Sequence, residues 1–92
     1  MSGEMRQIFG GRVRGMRERK GISLRKFALM IGIDKGFLVD VELGRKAPTL
    51  DTIEKITAGL DVTMGELFDG IEIEVEQAAA TSRIRRTGGT PK

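Results

Sequence analysis

Apolar residues between positions 22 and 31 recur with the spacing of one helical face. Phe27, Ala28 and Ile31 share that face, and Ser23 precedes them, where its hydroxyl can accept a backbone N–H of the first turn. Gly32 follows the last apolar residue, and glycine readily adopts the positive φ with which many helices end. The pattern therefore predicts a short helix that is capped by a serine and ended by a glycine.

A second short helix is predicted directly after this turn. Ile33 can close the turn with an apolar contact, Asp34 can cap the next helix, and Leu38 and Val41 form its inward face. Two short helices joined by a glycine turn form the helix-turn-helix motif, in which the second helix enters the major groove of DNA. Residues 22–43 thus indicate a DNA-binding function.

The chain before this motif, from about Gln7 to Lys20, is predicted to form one longer helix. Phe9 and Val13 recur there at helical spacing among many basic residues. Gly21 follows as a suitable end for this helix. We expect residues 1–5, which precede the periodic stretch, to be disordered.

Two further helices are predicted after the motif. Thr49 can cap the first of them, and Thr63 with Glu66 three residues later has the spacing of a capping box at the start of the second. The apolar residues that these helices are expected to bury are Leu50, Ile53, Ile56, Leu67 and Phe68.

The segment IEIEVEQ, residues 71–77, departs from the helical period. Ile71, Ile73 and Val75 alternate with glutamates, which is the pattern of a β-strand. A strand needs a partner, and none is evident within the monomer, so a strand here would pair with its twin in a homodimer. The segment can also be a helix with Ile71 and Val75 on one side, or it can be disordered. The strand is our first interpretation, and the other two stay open.

Length and composition limit the domain organisation and the chemistry. A chain of 92 residues forms one domain with a small core. We place a helix-turn-helix domain at 6–69, a C-terminal dimerisation extension at 70–80 and a flexible basic tail at 81–92. Because the chain has neither cysteine nor histidine, we expect no enzyme, metal site or cofactor. No membrane-spanning or signal segment is evident, so we expect a cytoplasmic protein.

The net charge of +3 is unevenly distributed. Residues 1–26 contain eight Lys or Arg and two Glu, whereas residues 51–82 contain one Lys and eight acidic residues. A chain with a strongly basic end can present a cationic surface to a polyanion such as DNA.

Over residues 8–68 the sequence resembles the Cro/C1-type (XRE-like) helix-turn-helix domain of phage repressors and bacterial regulators. The resemblance rests on the stretches RVRGMRERKGIS, VELGRKAPTLDTI and GLDVTMGELF, with the pairs Phe27–Ala28 and Gly32–Ile33. It implies an all-α fold, namely a five-helix lambda-repressor-like DNA-binding domain with a C-terminal extension that is a dimerising strand or helix.

The resemblance also implies roles for individual residues. In the family, an arginine late in the first helix commonly pairs with a glutamate that ends the third, and Arg17 and Glu42 hold these positions. Such a pair would fix the third helix and leave guanidinium hydrogens for a phosphate. The residues implied to contact DNA are Arg17, Ser23, Arg25, Lys35, Gly36, Phe37, Asp40, Arg45 and Lys46.

Only a few of these residues would approach base edges. Lys35 can reach guanine, Asp40 can accept from a cytosine amino group, and Phe37 can touch a thymine methyl group. The sequence departs from the family at Leu24, where glutamine is common, and at Leu43, where a polar residue is usual. We therefore expect phosphate contacts to dominate binding.

These inferences predict a transcriptional regulator, and by resemblance a repressor, that binds double-stranded DNA as a homodimer on a palindromic operator. No small-molecule ligand and no membrane are expected as partners. A different class of function also fits: a protein-interaction module, such as the antitoxin of a toxin–antitoxin pair, which would wrap residues 71–92 around another chain.

Overall fold

Six α-helices make up most of the described part of the protein. The structure is a computed structural model, and it describes the backbone of residues 1–88 and the side chains of residues 1–82. The helices are α1 (Gly3–Arg19), α2 (Leu24–Ile31), α3 (Lys35–Glu42), α4 (Leu50–Leu60), α5 (Met64–Phe68) and α6 (Ile71–Gly88). No residue between 1 and 88 is in a β-strand, so the all-α fold is confirmed.

The helix-turn-helix consists of α2 and α3, joined at Gly32. Ser23 caps α2 by accepting the backbone N–H of Lys26 at 3.1 Å, and Asp34 caps α3 by accepting that of Phe37 at 3.0 Å. Gly32 has a φ of 70°, the left-handed conformation that glycine adopts without a steric penalty. The predicted caps and the predicted turn are therefore confirmed.

The next two helices also begin at the predicted residues. Thr49 accepts the backbone N–H of Thr52 at 3.1 Å at the start of α4. Thr63 and Glu66 make both hydrogen bonds of the capping box at the start of α5. These side chains satisfy backbone donors that the first turns leave free.

One apolar cluster between α1–α5 and the start of α6 forms the core. Its fully buried members are Phe9, Val13, Phe27, Leu38, Val41, Ile56, Leu60 and Leu67. Phe68 stacks on Phe9, with 5.3 Å between the ring centroids. Leu50, predicted to be buried, is 77% exposed, because it is the first residue of α4 and lies beyond the face formed by Ile53 and Ile56.

The first helix begins earlier than the sequence pattern predicts. Ser2 caps α1 by accepting the backbone N–H of Met5 at 3.0 Å, and Met5 packs against the core. Arg6 then joins α1 to the end of the third helix, because its Nε donates to the carbonyl of Gly44 at 3.2 Å. The expectation that residues 1–5 are disordered is therefore wrong for residues 3–5, which are helical.

The segment 71–77 is helical, so the strand interpretation is wrong and the helix alternative is correct. Ile71 is buried and Val75 packs against the core one turn later, while Ile73 is 62% exposed on another side. A helix satisfies its backbone hydrogen bonds internally, whereas a lone strand does not. The helix continues to Gly88, so residues 81–88 of the tail that was predicted to be flexible are helical; positions 89–92 of that tail lie outside the described residues.

α6 lies antiparallel to α1. Arg12 of α1 donates to Glu74 at 2.6 Å and to the carbonyl of Leu67 at 2.9 Å. Further along, Ala78 and Ser82 of α6 lie beside the first turns of α1. None of the helices in the described residues is long and apolar enough to cross a membrane.

Close approach between α1 and α3 depends on Gly10. A Cβ atom at this position would overlap the carbonyl oxygen of Val41 and would lie 2.6 Å from that of Glu42. Because these are backbone atoms, they have no rotamer through which to move away. Gly10 therefore sets how closely α1 supports the C-terminal end of α3.

Candidate nucleic-acid interface

A buried ion pair fixes α3 to α1. Arg17 Nε and Nη2 donate to the two carboxylate oxygens of Glu42 at 2.8 and 2.9 Å. Arg17 Nη1 donates to the carbonyl of Ile22 at 2.8 Å. The two side chains are only 8% and 3% exposed. This geometry favours a positioning role for Arg17 over the phosphate contact that the sequence suggested.

The ion pair keeps Arg17 charged. Its hydrogen bond to Glu42 raises the pKa of Arg17 above the usual value, and burial of the guanidinium opposes that effect. A pKa raised by folding contributes stability that is present below the unfolded-state pKa and is lost only as pH rises through the folded-state pKa. For an arginine, that loss is confined to strongly alkaline solution.

Within the part of the chain that the structure describes, no other helix covers the outer face of α3. Lys35 and Gly36 are exposed, Val39 and Asp40 are half-buried, and Leu43 directly after the helix is 44% exposed. The opposite face contributes Leu38, Val41 and Glu42 to the interior. α3 therefore presents one complete side to solvent.

The carboxylate of Asp40 is surrounded by cations. Arg45 Nη1 lies 3.7 Å and Lys46 Nζ 3.5 Å from its two oxygens. The backbone N–H groups of Arg45 and Lys46 also donate to the carbonyl of Asp40, at 2.8 and 3.3 Å. Asp40 therefore orders the loop after α3 and carries its negative charge beside two positive ones.

Phe37 does not project freely from the surface. Its ring is half-buried and packs against the core, and Lys46 Nζ lies 6.0 Å from the ring centroid. At this distance the lysine is at the limit of a cation–π contact. Phe37, Asp40 and Lys46 thus form one continuous patch at the side of α3.

The start of α2 adds a second group of polar residues. Ser23, Arg25 and Lys26 are all exposed there, and Leu24 between them is half-buried. The N-terminal end of a helix carries unpaired N–H groups and a partial positive charge. Side chains on both flanks of the outer face of α3 can therefore approach an anionic backbone. Across the described residues no three His, Cys, Asp or Glu side chains converge as a metal site would require.

Comparison with known proteins identifies this arrangement. A sequence model of the helix-turn-helix family matches residues 13–67, more than half of the chain. Control protein C.MunI of Mycoplasma sp. is 37% identical over 67 residues, which cover 72% of this chain and 90% of that protein. The chain belongs to the Cro/C1-type helix-turn-helix family of DNA-binding transcription regulators.

Solved structures of similar proteins support the fold of this family member. The restriction-modification controller protein C.AhdI of Aeromonas hydrophila is 35% identical, and its structure matches with a TM-score of 0.66. The match covers 67% of this chain and 94% of C.AhdI. The clp gene regulator ClgR of Corynebacterium glutamicum covers 96% of both chains with a TM-score of 0.78. Because ClgR is 22% identical, it supports the fold alone. Its coverage extends the match to α6.

Most of the residues assigned by resemblance to the Cro/C1-type family lie on one surface. Lys35, Gly36 and Asp40 are on the outer face of α3, and the others flank it. Arg17 alone is buried. Their contacts with DNA stay a prediction.

Sequence reasoning missed Val39. It lies one turn after Lys35 and one turn before Leu43, and these three positions form a single stripe on the outer face of α3. The signal was present in the sequence, because Leu38 and Val41 define the buried face and Val39 falls outside it. An apolar residue outside the buried face of a recognition helix is a candidate for contact with the ligand.

Leu24, Val39 and Leu43 border a hollow of about 170 Å³ on this surface. Arg14 lies at its edge, and the Arg17–Glu42 pair lines it as well. The two leucines that depart from the family pattern are therefore neighbours in space. We call this feature the apolar hollow.

Proposed function

We propose that this protein is a transcriptional repressor that binds a palindromic operator as a homodimer. The main support is the outer face of α3, which no other helix among the described residues covers, while the Arg17–Glu42 pair anchors the inner face. Arg25 on one flank and Arg45 and Lys46 on the other can contact phosphates, with Lys35 on α3 directed to bases. A repressor of this kind acts by covering a promoter, in the cytoplasmic compartment where bacterial regulators meet DNA.

The homodimer would form through α6. Ile73 is 62% exposed, whereas Ile71 and Val75 of the same helix pack in or against the core. Beyond Ser82 the helix continues past the residues that lie beside the start of α1. A two-fold dimer joined there would place two copies of α3 on half-sites about one helical turn apart.

Selection of bound sequences from a random duplex pool, followed by a salt titration, tests this function. Six phosphate contacts, three from each subunit by Arg25, Arg45 and Lys46, correspond to a slope of about −5 in log K against log salt concentration. We expect a selected consensus with two inverted half-sites. Failure to bind any duplex in a salt-dependent manner, including the DNA upstream of its own gene, would contradict the proposal.

A second candidate function is that of a protein-interaction module, such as an antitoxin. The exposed Ile73 between glutamates on α6 favours it, because such a helix can pack against another protein. Co-purification with the product of the neighbouring gene would support it. Ile73→Glu is the better separating variant, because truncation after Gly70 would remove the buried Ile71 and truncation after Ser82 would leave Ile73 in place. Loss of a partner with unchanged operator binding would indicate the interaction function.

A further inference from the structure

The apolar hollow lies on the surface that the proposed function directs to DNA. Three of its walls are the side chains of Leu24, Val39 and Leu43. Val39 and Leu43 belong to the same stripe of α3 as Lys35, and Leu24 begins α2 beside the exposed Ser23. A ligand that meets this surface therefore meets apolar carbon as well as positive charge.

The charges around the hollow favour a polyanion over an apolar protein segment. Arg14 lies at its edge with a side chain that is 55% exposed, and Arg25, Lys26 and Lys35 are exposed on the helices that form it. Three of the nearby acids are paired: Glu18 with Arg14, Asp40 with Arg45 and Lys46, and Glu42 with Arg17. The fourth, Asp34, is exposed and caps α3, and it is outnumbered by the exposed Arg25, Lys26 and Lys35. The free charge of this surface is therefore positive.

A phosphate does not fit the hollow itself. Leu24, Val39 and Leu43 form its hydrocarbon walls, the carboxylate of Glu42 also lines it, and the guanidinium of Arg17 is occupied by Glu42 and the carbonyl of Ile22. Arg14 at the edge is already paired with Glu18. A phosphate placed there would lose water without gaining donors. In the major groove, the apolar group on a base edge is the C5 methyl group of thymine. A methyl group is the part of duplex DNA that these walls match.

We propose that the apolar hollow receives the C5 methyl group of a pyrimidine in the major groove, and that Val39 is the residue that determines this specificity. The proposal rests on the proposed DNA-binding function. The chemistry is shared by thymine and 5-methylcytosine, which present the same methyl group at the same place. The hollow would thus recognise a base at a position of α3 near Gly36, which has no side chain with which to contact one.

The test uses the full chain and the operator consensus from the random-pool selection. Each thymine and its two-fold mate are replaced by deoxyuridine, which lacks only the methyl group, and dissociation constants are measured by fluorescence anisotropy at fixed salt. One symmetric pair of positions should weaken binding by about fourfold per half-site, or about 16-fold together. Fourfold corresponds to about 0.8 kcal/mol for one buried methyl group.

A second arm distinguishes the two sources of the methyl group. At the sensitive position the pyrimidine is changed to cytosine or 5-methylcytosine, with guanine opposite in both duplexes. A fourfold advantage of 5-methylcytosine over cytosine supports recognition of the methyl group on either base. An advantage of thymine over deoxyuridine alone supports the proposal with thymine as the source.

Val39→Ala should abolish the preference for thymine over deoxyuridine, because it removes the wall of the hollow that belongs to α3. Leu29→Ala is the matched control, since Leu29 is 76% exposed on α2 and does not line the hollow. The control should keep the full preference. If Val39→Ala fails to fold, Val39→Thr, which keeps the shape and adds a hydroxyl group, should reduce the preference instead.

Three results would overturn the proposal: a consensus without thymine, binding that is indifferent to deoxyuridine at every position, or a preference that survives in Val39→Ala. The last would assign methyl recognition to another residue. Each of these leaves DNA binding intact and so refutes this inference alone. Absence of binding to every duplex would instead refute the proposed function.

Discussion

Arg17 can stay charged inside a small core because a single carboxylate and one carbonyl accept its hydrogen bonds. Two of its nitrogens meet both oxygens of Glu42, and the third meets Ile22. Among the described residues no buried polar side-chain atom lacks a hydrogen-bond partner. Such an arrangement holds α3 in a defined orientation, but it is sensitive to loss of either partner.

Glu42→Ala should lower the free energy of unfolding by about 3–5 kcal/mol, because it leaves a buried guanidinium without its counter-charge. Urea unfolding followed by circular dichroism measures this loss. Glu18→Ala is the matched control: it breaks an exposed pair on α1, between Arg14 and Glu18, and should cost about 0.5 kcal/mol or less. Equal losses in the two variants would contradict a structural role for the buried pair.

At the scale of residues, the sequence predicted what depends on local chemistry. Ser23, Asp34, Thr49 and Thr63 cap their helices as predicted, because a cap is defined within four residues. The exposure of Leu50 could not be predicted in this way. Its exposure depends on where the first turn of α4 lies relative to the core, which is a tertiary property.

Among the helices, α1 packs against α3, α4, α5 and α6. Two adjacent glycines of this helix lie in opposite surroundings, one packed against α3 and the other open. Gly10 faces the backbone of α3 at distances that exclude any side chain, whereas a Cβ at Gly11 would meet nothing within 4 Å. Glycine is needed at the first position for packing. At the second it only weakens the helix.

Gly10→Ala should destabilise the protein by about 3 kcal/mol or more, because the new methyl group would overlap the carbonyls of Val41 and Glu42. Gly11→Ala should stabilise it by up to about 1 kcal/mol through helix propensity. Thermal and urea unfolding of the two variants side by side provide the measurement. A similar change in both would show that α1 and α3 are not in close contact.

The sequence alone does not decide whether the start of α6 is a strand or a helix, because its apolar residues fit both periodicities. Ile71, Ile73 and Val75 alternate as in a strand, yet Ile71 and Val75 are also one helical turn apart. The structure buries the pair that suits a helix and exposes Ile73. Packing against α1 resolved the ambiguity, and this packing is not visible in a local pattern.

Ile73→Glu should raise the dissociation constant of the homodimer by about 100-fold or more, because a buried isoleucine contributes about 1.5–3 kcal/mol in each subunit. Since Ile73 is 62% exposed, the unfolding curve of the monomer should be unchanged. Sedimentation equilibrium of this variant, with Leu29→Glu as the exposed control, gives the answer. Dimerisation of Ile73→Glu with native affinity would place the dimer contact elsewhere.

At the scale of the whole molecule, basic residues are concentrated in α1 and the start of α2, while acidic residues predominate over residues 51–82, that is, in α4, α5 and the first part of α6. Arg45 and Lys46, which the proposed function assigns to phosphates, both lie beside Asp40. A phosphate would compete with Asp40 for them. The binding free energy of each phosphate contact is therefore reduced by the cost of breaking an ion pair with Asp40. This cost is small, because both cations are well exposed and such ion pairs are weak.

Replacing both Arg45 and Lys46 with glutamine should make the salt slope of operator binding shallower by about 3.6, that is, four phosphate contacts in a dimer. Affinity should fall similarly for all sequences, since these residues are assigned to phosphates. Lys55→Gln, at an exposed position of α4, is the control and should leave the slope unchanged. A narrowed sequence preference with an unchanged slope would mean that these residues contact bases.

α1 holds α3 through Arg17 and α6 through Arg12, five positions earlier in the same helix. In a dimer joined by α6, the path from one recognition helix to the other would therefore run through two copies of α1 and no flexible linker. The geometry of α1 would then fix the distance between the two half-sites that the dimer can bind. A residue inserted between Arg12 and Arg17 would turn one attachment by about 100° relative to the other, and half-sites at their natural separation would no longer be bound together.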